Sequence, residues 1–224
     1  MFDEKAQTYD GWYQTKLGAF VDEVETKLAF DMFSPEAGMN ILDVGCGTGN
    51  FSIKLAQKGC KVTGIDISEK MLEIAKHKVK EHGFEIDFHK MDIYKLDFPD
   101  NHFDAVFSMA AFEFIHDLEA AYSELMRVLK PGGLLLIGTI HKNSGWGKRY
   151  LESAKRSDSI FRFADFKNLE DLLELDKDNL LKSGECLFIP PDAKEDEISW
   201  EEEKRLYSIN RGGFICALWE KPNK

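Results

Sequence analysis

The stretch Asp43-Val44-Gly45-Cys46-Gly47-Thr48-Gly49 decides the fold of this 224-residue chain. It completes an apolar run, residues 41–44, which predicts a β-strand, and it leads into residues 51–57, which predict a helix. A glycine-rich turn between a strand and a helix is where a parallel α/β sheet presents backbone N–H groups to a ligand. The stretch therefore predicts a ligand site at the carboxyl edge of such a sheet.

Asp66 lies 21 residues beyond Gly45, at the end of a second predicted strand, residues 61–65. Its carboxylate can accept hydrogen bonds from both hydroxyls of a ribose. A glycine loop with an acidic residue after the next strand indicates a nucleoside. The dinucleotide fingerprint G-x-G-x-x-G requires glycine at position 50, where this chain has Asn50, and this argues against NAD.

From residue 40 to about residue 139, short apolar runs alternate with amphipathic stretches. This alternation predicts an α/β fold with helices on both faces of a parallel sheet. Further strands are predicted at residues 85–89, 103–108, 134–140, 184–189 and 213–220. Further helices are predicted at residues 6–33, at residues 69–81 after the N-cap Ser68, from Asp117 to the Pro131-Gly132-Gly133 turn, and at residues 169–175.

Composition narrows the classes of partner. The chain carries 29 Lys and Arg against 40 Asp and Glu, a formal charge of −11, so an average surface repels nucleic acid and anionic membranes. The four cysteines and six histidines show no zinc-ligand spacing, which predicts reduced thiols and no metal. No signal peptide and no apolar run near the roughly 20 residues of a membrane span can be recognised. We expect a soluble, cytoplasmic protein that binds small molecules.

Five motifs give the chain a family resemblance. Over about residues 3–141, the sequence resembles the class I S-adenosylmethionine-dependent methyltransferases, in particular the type-11 group that includes the quinone C-methyltransferases. The five motifs occur in the order that is expected for this family. The motifs are Leu42-Asp43-Val44-Gly45-Cys46-Gly47-Thr48-Gly49, Gly64-Ile65-Asp66-Ile67-Ser68 with Met71-Leu72, Met91-Asp92-Ile93, Phe103-Asp104-Ala105-Val106, and Arg127-Val128-Leu129-Lys130-Pro131-Gly132-Gly133.

The resemblance implies a Rossmann-like, doubly wound, seven-stranded sheet that is mostly parallel with the last strand antiparallel. It also implies S-adenosyl-L-methionine as cofactor and S-adenosyl-L-homocysteine as product, with the glycine loop on the methionine part, Asp66 on the ribose and Asp92 on the adenine amino group. The implied cofactor-binding residues are Tyr9, Asp43, Gly45, Cys46, Gly47, Thr48, Gly49, Asp66, Ile67, Met71, Asp92, Ile93, Ser108 and Met109. The segment Tyr9-Asp10-Gly11-Trp12-Tyr13 is similar to the piece that closes over the cofactor in the family, and aromatic faces suit a sulfonium.

Methyl transfer from a sulfonium depends mainly on positioning, so a general base is optional. The candidate bases follow strands at the carboxyl edge: His141 after the fifth strand, and Glu113 or His116 after the fourth. Each of them can also be read as a surface residue without a catalytic role.

We expect a single methyltransferase domain over residues 1–224. Its parts are an N-terminal helical cap at residues 1–36, a cofactor-binding core at 37–141, an acceptor-side lid and helix at 142–182, and a C-terminal strand pair with an acidic link at 183–224. The segment Ser144-Gly145-Trp146-Gly147-Lys148-Arg149-Tyr150 with Phe161, Phe163 and Phe166 indicates a small apolar or aromatic acceptor. The alternatives are a nicotinamide-dependent oxidoreductase and a non-catalytic, cofactor-binding regulatory protein.

Overall fold

Seven strands form one sheet in the residues described by the computed structural model. These are residues 2–157 and 159–223, and for residues 3–5 and 7–9 only the backbone is described. The strands are β1 Asn40–Val44, β2 Lys61–Asp66, β3 Asp87–Lys90, β4 Phe103–Met109, β5 Leu129–Ile140, β6 Leu180–Cys186 and β7 Phe214–Glu220. The helices are α1 Phe2–Tyr13, α2 Lys16–Met32, α3 Asn50–Gln57, α4 Glu69–Glu81, α5 Leu118–Val128, α6 Gly145–Ser153, α7 Leu169–Leu173 and α8 Trp200–Leu206.

The strand order is β3-β2-β1-β4-β5-β7-β6. Neighbours from β3 to β5 are parallel, whereas β7 runs antiparallel to both β5 and β6. This arrangement confirms the predicted seven-stranded, mostly parallel sheet with its last strand antiparallel. Because β1, β2 and β4 are parallel, their carboxyl ends meet at one edge, where the ligand site is expected.

Apolar layers cover both faces of the sheet. Side chains of α2, α3, α6 and α8 pack on one face, and those of α5 and α7 pack on the other. Helices α4 and α5 begin where the sequence predicts: Ser68 accepts a hydrogen bond from the Met71 N–H, and Asp117 accepts one from the Ala120 N–H. No helix in the described part of the chain is long and apolar enough to cross a membrane.

The third strand begins two residues later than predicted. The Phe84 N–H donates to the Val79 carbonyl and closes the end of α4, while the Phe84 and Ile86 side chains pack beside that helix. Residues 85 and 86 are thereby kept out of β3, which starts at Asp87.

The Pro131-Gly132-Gly133 turn does not end a helix, which corrects the prediction. Helix α5 stops at Val128, and β5 starts at Leu129, opposite Phe103 of β4. The turn lies within the strand because Gly132 and Gly133 exchange backbone hydrogen bonds with Lys221, just beyond β7.

The sixth strand occupies Leu180–Cys186 instead of residues 184–189. Leu187 has a φ of +64° and turns the chain out of the sheet. The Phe188 and Ile189 N–H groups then donate to the buried Glu203 carboxylate instead of to a strand. Glu203 belongs to α8, a helix inside the acidic link that the sequence pattern does not predict.

The N-terminal region and the lid segment also differ from expectation. The predicted helix over residues 6–33 is two helices, because the Thr15 side chain accepts a hydrogen bond from the Gly18 N–H and starts α2. The segment after His141 contains the helix α6, capped by Ser144, where no regular element is predicted.

Candidate functional site

The glycine loop after β1 needs glycine at two positions for different reasons. Gly45 has a φ of +67°, and a Cβ there would lie 2.4 Å from the Cβ of Ala111. Gly47 has a φ of +53°, but a Cβ there would meet no atom within 4 Å. The absence of a side chain at Gly45 allows Ala111 to pack against the loop, whereas the absence of one at Gly47 leaves open space above the loop.

The Asp66 carboxylate at the end of β2 holds this loop in place. Its Oδ2 accepts a hydrogen bond from the Gly47 N–H at 2.9 Å, and its Oδ1 accepts one from the Ser68 N–H at 2.7 Å. The Cys46 N–H donates to the Ile65 carbonyl at 2.9 Å. The loop and the end of β2 are therefore one hydrogen-bonded unit.

A cavity of about 490 Å³, called cavity A, opens above this unit. Its walls include these residues: Phe2, Val44, Gly45, Gly47, Ile65, Asp66, Ile67, Met71, Met91, Asp92, Ile93, Tyr94, Ala110, Ala111, Phe114, Ile115, His116, Ile160 and Phe163. The volume lies within the range of small-molecule and cofactor sites, about 300–1,000 Å³. Mostly apolar walls with two carboxylates, Asp66 and Asp92, suit a nucleoside, whose base is flat and whose hydroxyls and amino group donate hydrogen bonds.

A recess of about 40 Å³ lies on the other side of the glycine loop. Asp43, Cys46, Thr48 and Met109 line it, together with Gly45 and Gly47. Burial raises the pKa of Asp43 to about 7, and the nearby Asp66 charge also raises it. A hydrogen bond from the Ser52 hydroxyl at 2.5 Å lowers this pKa but does not offset the effect of burial.

Eleven of the residues implied to bind the cofactor border cavity A or this recess, whereas Gly49 and Ser108 border neither. Gly49 packs against α4, where a Cβ would lie 3.2 Å from that of Ala75. The buried Ser108 hydroxyl donates to the Val44 carbonyl at 2.8 Å and ties β4 to β1. Tyr9 lies on α1, and its side chain is outside the described residues.

A second cavity of about 400 Å³, called cavity B, adjoins cavity A. The two share Ala110, Phe114 and Ile160. The other residues that line cavity B are Trp12, Tyr13, Val21, Glu25, Glu113, Ile140, Trp146, Tyr150, Ser153, Arg156, Ser159, Phe161, Leu187, Gly213 and Phe214. Ala110 has a φ of +54°, a strained conformation for a residue with a side chain, and it lies at the junction of the two cavities.

Two buried carboxyl groups line cavity B. Glu113 accepts a hydrogen bond from the Thr139 hydroxyl at 2.9 Å, and burial raises its pKa to about 7. Burial also raises the pKa of Glu25 well above its ordinary value, with further increases from the Asp22 and Glu113 charges.

The three candidate bases lie in different places. Glu113 lines cavity B, whereas His116 is exposed and lines cavity A. His141 is fully buried, and its Nδ1 lies 3.2 Å from the Gly212 carbonyl oxygen, in contact with the backbone before β7. Burial lowers the pKa of His141 and so disfavours its protonated form. In the described part of the chain, no group of three or more His, Cys, Asp or Glu side chains could hold a metal ion.

The sequence analysis does not predict a polar cluster that joins α1 to the glycine-loop region. Lys78 of α4 lies 2.6 Å from Asp10 of α1, and Asp10 also accepts a hydrogen bond from the Thr48 hydroxyl at 2.8 Å. Lys78 further donates to the Asn50 side chain at 2.8 Å. Only the three-dimensional packing brings these four residues together.

Glu25 is the second functional candidate that the sequence analysis missed, and a signal for it exists. Val21, Glu25 and Ala29 are spaced by four residues and share the buried side of α2. An acidic residue in an apolar helical stripe is a marker of a functional or strained position.

Comparisons with known proteins agree on one family. A family model described as "Methyltransferase domain" matches residues 42–137. The chain is 34% identical over 197 residues to malonyl-[acyl-carrier protein] O-methyltransferase 2 of Ilyobacter polytropus, covering 82% of this chain and 70% of that protein. It is 37% identical over 140 residues to demethylmenaquinone methyltransferase of Thermus thermophilus, covering 61% of this chain and 63% of that protein. The match therefore spans less than two thirds of that relative's length.

Solved structures share the fold along nearly the whole chain. A Thermotoga maritima protein described as an S-adenosylmethionine-dependent methyltransferase, possibly a histamine N-methyltransferase, has a TM-score of 0.75 at 23% identity, covering 98% of this chain and 97% of that one. A Haloferax volcanii putative methyltransferase, solved in complex with the Trm112 activator, has a TM-score of 0.74 at 21% identity, covering 99% and 97%.

Proposed function

The chain belongs to the family of S-adenosylmethionine-dependent methyltransferases, and on that premise we propose that it transfers a methyl group to a small molecule bound in cavity B. The observation that carries this proposal is the junction of cavities A and B at Ala110, Phe114 and Ile160. Two chambers that meet at one wall allow a donor and an acceptor to be held in contact while the protein surrounds both.

Cavity A fits S-adenosylmethionine, which supplies a methyl group activated on a sulfonium. Gly47 leaves space beside the loop, Asp66 accepts hydrogen bonds from the ribose hydroxyls, and Asp92 accepts one from the adenine amino group. Ile65, Ile67 and Ile93 provide apolar surface for the base. The carboxylate of Asp66 is already oriented by two backbone N–H groups, which supports its role as a fixed acceptor.

Cavity B holds the acceptor next to cavity A. The catalytic contribution of the chain is orientation of the acceptor against cavity A. Of the three candidate bases, Glu113 is the one that borders cavity B, and with a pKa near 7 it is able to accept a proton at neutral pH.

The names of the relatives point to acceptors of different kinds, some of them small molecules and one a malonyl group carried on a protein. One acts on demethylmenaquinone by its name, another on malonyl-[acyl-carrier protein], and the Thermotoga protein is described as a possible histamine N-methyltransferase. For this chain we take the acceptor to be a small molecule with an apolar or aromatic body, because Trp12, Trp146 and Phe161 line cavity B. Neither the family model nor the relatives support a nicotinamide-dependent oxidoreductase.

Calorimetric titration with S-adenosylmethionine and S-adenosylhomocysteine tests the proposal, with Asp66→Ala and Asp104→Ala as a matched pair. Asp104 lies at the other end of the sheet, where it accepts a hydrogen bond from the Asn40 N–H and pairs with Lys130 at 2.6 Å. Loss of hydrogen bonds to a charged acceptor is worth about 1.5–3 kcal/mol, so Asp66→Ala should raise the dissociation constant about 10- to 150-fold. Asp104→Ala should change stability and leave affinity unchanged.

Thermal melts establish that both variants are folded. Absence of binding to the folded wild-type protein would overturn the cofactor assignment. Equal loss of affinity in both variants would show that the nucleoside is held elsewhere.

A further inference from the structure

Glu25 is a buried residue of α2 that borders cavity B. Glu25 is 8% exposed. Among the residues that the structure describes, none donates a hydrogen bond to its carboxyl group. A buried polar group without a partner carries a large desolvation cost. Such a group in the wall of a cavity is explained when a ligand supplies the missing partner.

Glu113 adds a second carboxyl group to the same cavity. It is 2% exposed, and the Thr139 hydroxyl is its side-chain partner. Glu25 and Glu113 are close enough for the charge of Glu113 to act on Glu25. Two acidic groups therefore border the same cavity, and a nearby positive charge would favour their ionised forms.

The cations near these carboxyl groups already have partners. Lys54 pairs with Asp22 and donates to the Thr26 hydroxyl, and Lys167 donates to the Asp165 side chain at 2.6 Å. Arg156 also lines cavity B, but it is an exposed residue. The remaining titratable groups near Glu25, the thiols of Cys186 and Cys216, are kept neutral because burial raises their pKa.

Aromatic side chains complete the wall. Trp12, Tyr13, Trp146, Tyr150 and Phe161 border the same cavity, and Tyr150 lies 4.3 Å from Phe161 between ring centroids. Aromatic faces attract cations and pack against flat apolar groups. Carboxylates accept hydrogen bonds from an ammonium group and aromatic faces attract its charge, so together they suit an ammonium group on an apolar body.

We propose that cavity B binds a protonated amine with an aromatic or apolar body, whose ammonium group lies between Glu25 and Glu113. This inference rests on the proposed function, since it names the class of acceptor for the same site. An anionic molecule would be repelled by the ionised form of either carboxyl group, and a neutral apolar molecule would give the Glu25 carboxyl no hydrogen-bond partner.

The raised pKa values give this binding mode a signature other than activity. Burial raises the pKa of both carboxyl groups, that of Glu113 to about 7, so Glu113 is about half protonated at pH 7 in the ligand-free protein. An ammonium group favours the ionised carboxylates, so binding releases protons. The affinity for the amine should fall as the pH is lowered through about 7, since Glu113 becomes neutral.

The experiment compares amines with neutral molecules of the same shape. Tryptamine and phenethylamine, paired with tryptophol and 2-phenylethanol, are titrated calorimetrically into the protein saturated with S-adenosylhomocysteine, in buffers of different ionisation enthalpy. At least one amine should bind about 10-fold or more tightly than its alcohol, and its apparent enthalpy should depend on the buffer. Indole-3-acetate, the anionic analogue, should bind more weakly than tryptophol.

Glu25→Gln and Glu113→Gln identify the groups responsible, with Glu23→Gln as control. Glu23 is on the same helix, exposed, and accepts a hydrogen bond from the Trp200 indole N–H, which glutamine can also accept. Glu25→Gln and Glu113→Gln should each reduce the preference for the amine over its alcohol about 10-fold, and Glu23→Gln should not. Thermal melts and retained S-adenosylhomocysteine affinity show that the variants are folded.

The outcomes separate the two proposals. If S-adenosylhomocysteine binds but no amine is preferred over its alcohol, the amine assignment is overturned and the proposed function stands. If amines bind with these properties while S-adenosylhomocysteine and S-adenosylmethionine do not, the amine site stands and the proposed function fails. An amine preference that survives in Glu25→Gln and Glu113→Gln also overturns the assignment.

Discussion

At the scale of single residues, Glu113 makes the stability of the protein depend on pH. Burial raises its pKa from the ordinary 4.5 to about 7. Between these two values the unfolded chain has already lost the proton that the folded chain retains, so stability falls as the pH rises toward 7 and then levels off. The full effect corresponds to about 3 kcal/mol, because one pKa unit is worth about 1.4 kcal/mol.

Glu113→Gln removes this dependence, since glutamine keeps an acceptor for the Thr139 hydroxyl and carries no charge. We expect urea denaturation to find the variant little more stable than wild type at pH 5 and about 3 kcal/mol more stable at pH 8. Glu23→Gln should change stability equally at both values. The same difference for Glu113→Gln at pH 5 and pH 8 would contradict the pKa assigned to this carboxyl group.

The residues of the glycine loop are predictable from sequence, and the carboxyl groups of cavity B are less so. Gly47 and Asp66 follow directly from the local order of strand, turn and next strand, and parallel pairing of β1 with β2 brings them within hydrogen-bond distance. Glu113 can be placed near the carboxyl edge because it follows β4. Glu25 reaches cavity B only through the packing of α2, which no local pattern specifies.

At the scale of elements, α1 forms part of the wall of both cavities. Phe2 borders cavity A and packs edge-on against Phe114 with ring centroids 4.9 Å apart, while Trp12 and Tyr13 border cavity B. Its polar attachment is the contact of Asp10 with Lys78 and Thr48. Ligand exchange therefore depends on how firmly this helix is held.

Lys78→Gln should loosen α1 without unfolding the sheet. The Asp10–Lys78 pair is only partly buried, so its loss should lower the free energy of local opening by about 1 kcal/mol, or about fivefold in the opening equilibrium. Hydrogen exchange of α1 amides should accelerate by that factor while the β4 and β5 amides keep their protection. The control is Lys76→Gln, at an exposed position on α4, the helix that carries Lys78. Equal exchange in both variants would show that apolar contacts alone hold α1.

The elements missed by the sequence analysis share a physical cause. Helices α6 and α8 contain only two or three apolar side chains each, so no hydrophobic period can be recognised in them, and their starts depend on the single caps Ser144 and Ser199. The end of β6 depends on Leu187 and on the remote carboxylate of Glu203. Helices α4 and α5 are longer, carry a clear apolar stripe and begin at their predicted caps.

At the scale of the whole molecule, the alternating pattern from residue 40 to residue 139 predicts the parallel part of the sheet. The antiparallel direction of β7 follows from the family resemblance, because an apolar strand pattern has no direction, whereas the position of β7 between β5 and β6 is not predicted. Cavity A is built by residues from α1, β1, β2, the turns after β3 and β4, and the segment around Ile160. A ligand there contacts elements from distant parts of the chain.

This construction links cofactor binding to global stability. A ligand that binds only the folded chain stabilises it by about 2.7 kcal/mol at a free concentration of 100 times its dissociation constant. For a chain of this length, about 2–4 °C of melting temperature corresponds to 1 kcal/mol, so S-adenosylhomocysteine at that concentration should raise the melting temperature by about 5–10 °C in a single transition.

Asp66→Ala at the same ligand concentration should keep less than about 1 kcal/mol of that stabilisation, because its dissociation constant is expected to approach or exceed the ligand concentration when affinity falls about 100-fold. Asp104→Ala should melt at a lower temperature and still gain the full wild-type increment, since its carboxylate pairs with Lys130 and Asn40 at the other end of the sheet. Differential scanning calorimetry measures both increments. Two separate transitions, with only one moved by ligand, would show that cavity A belongs to a part of the chain that unfolds independently.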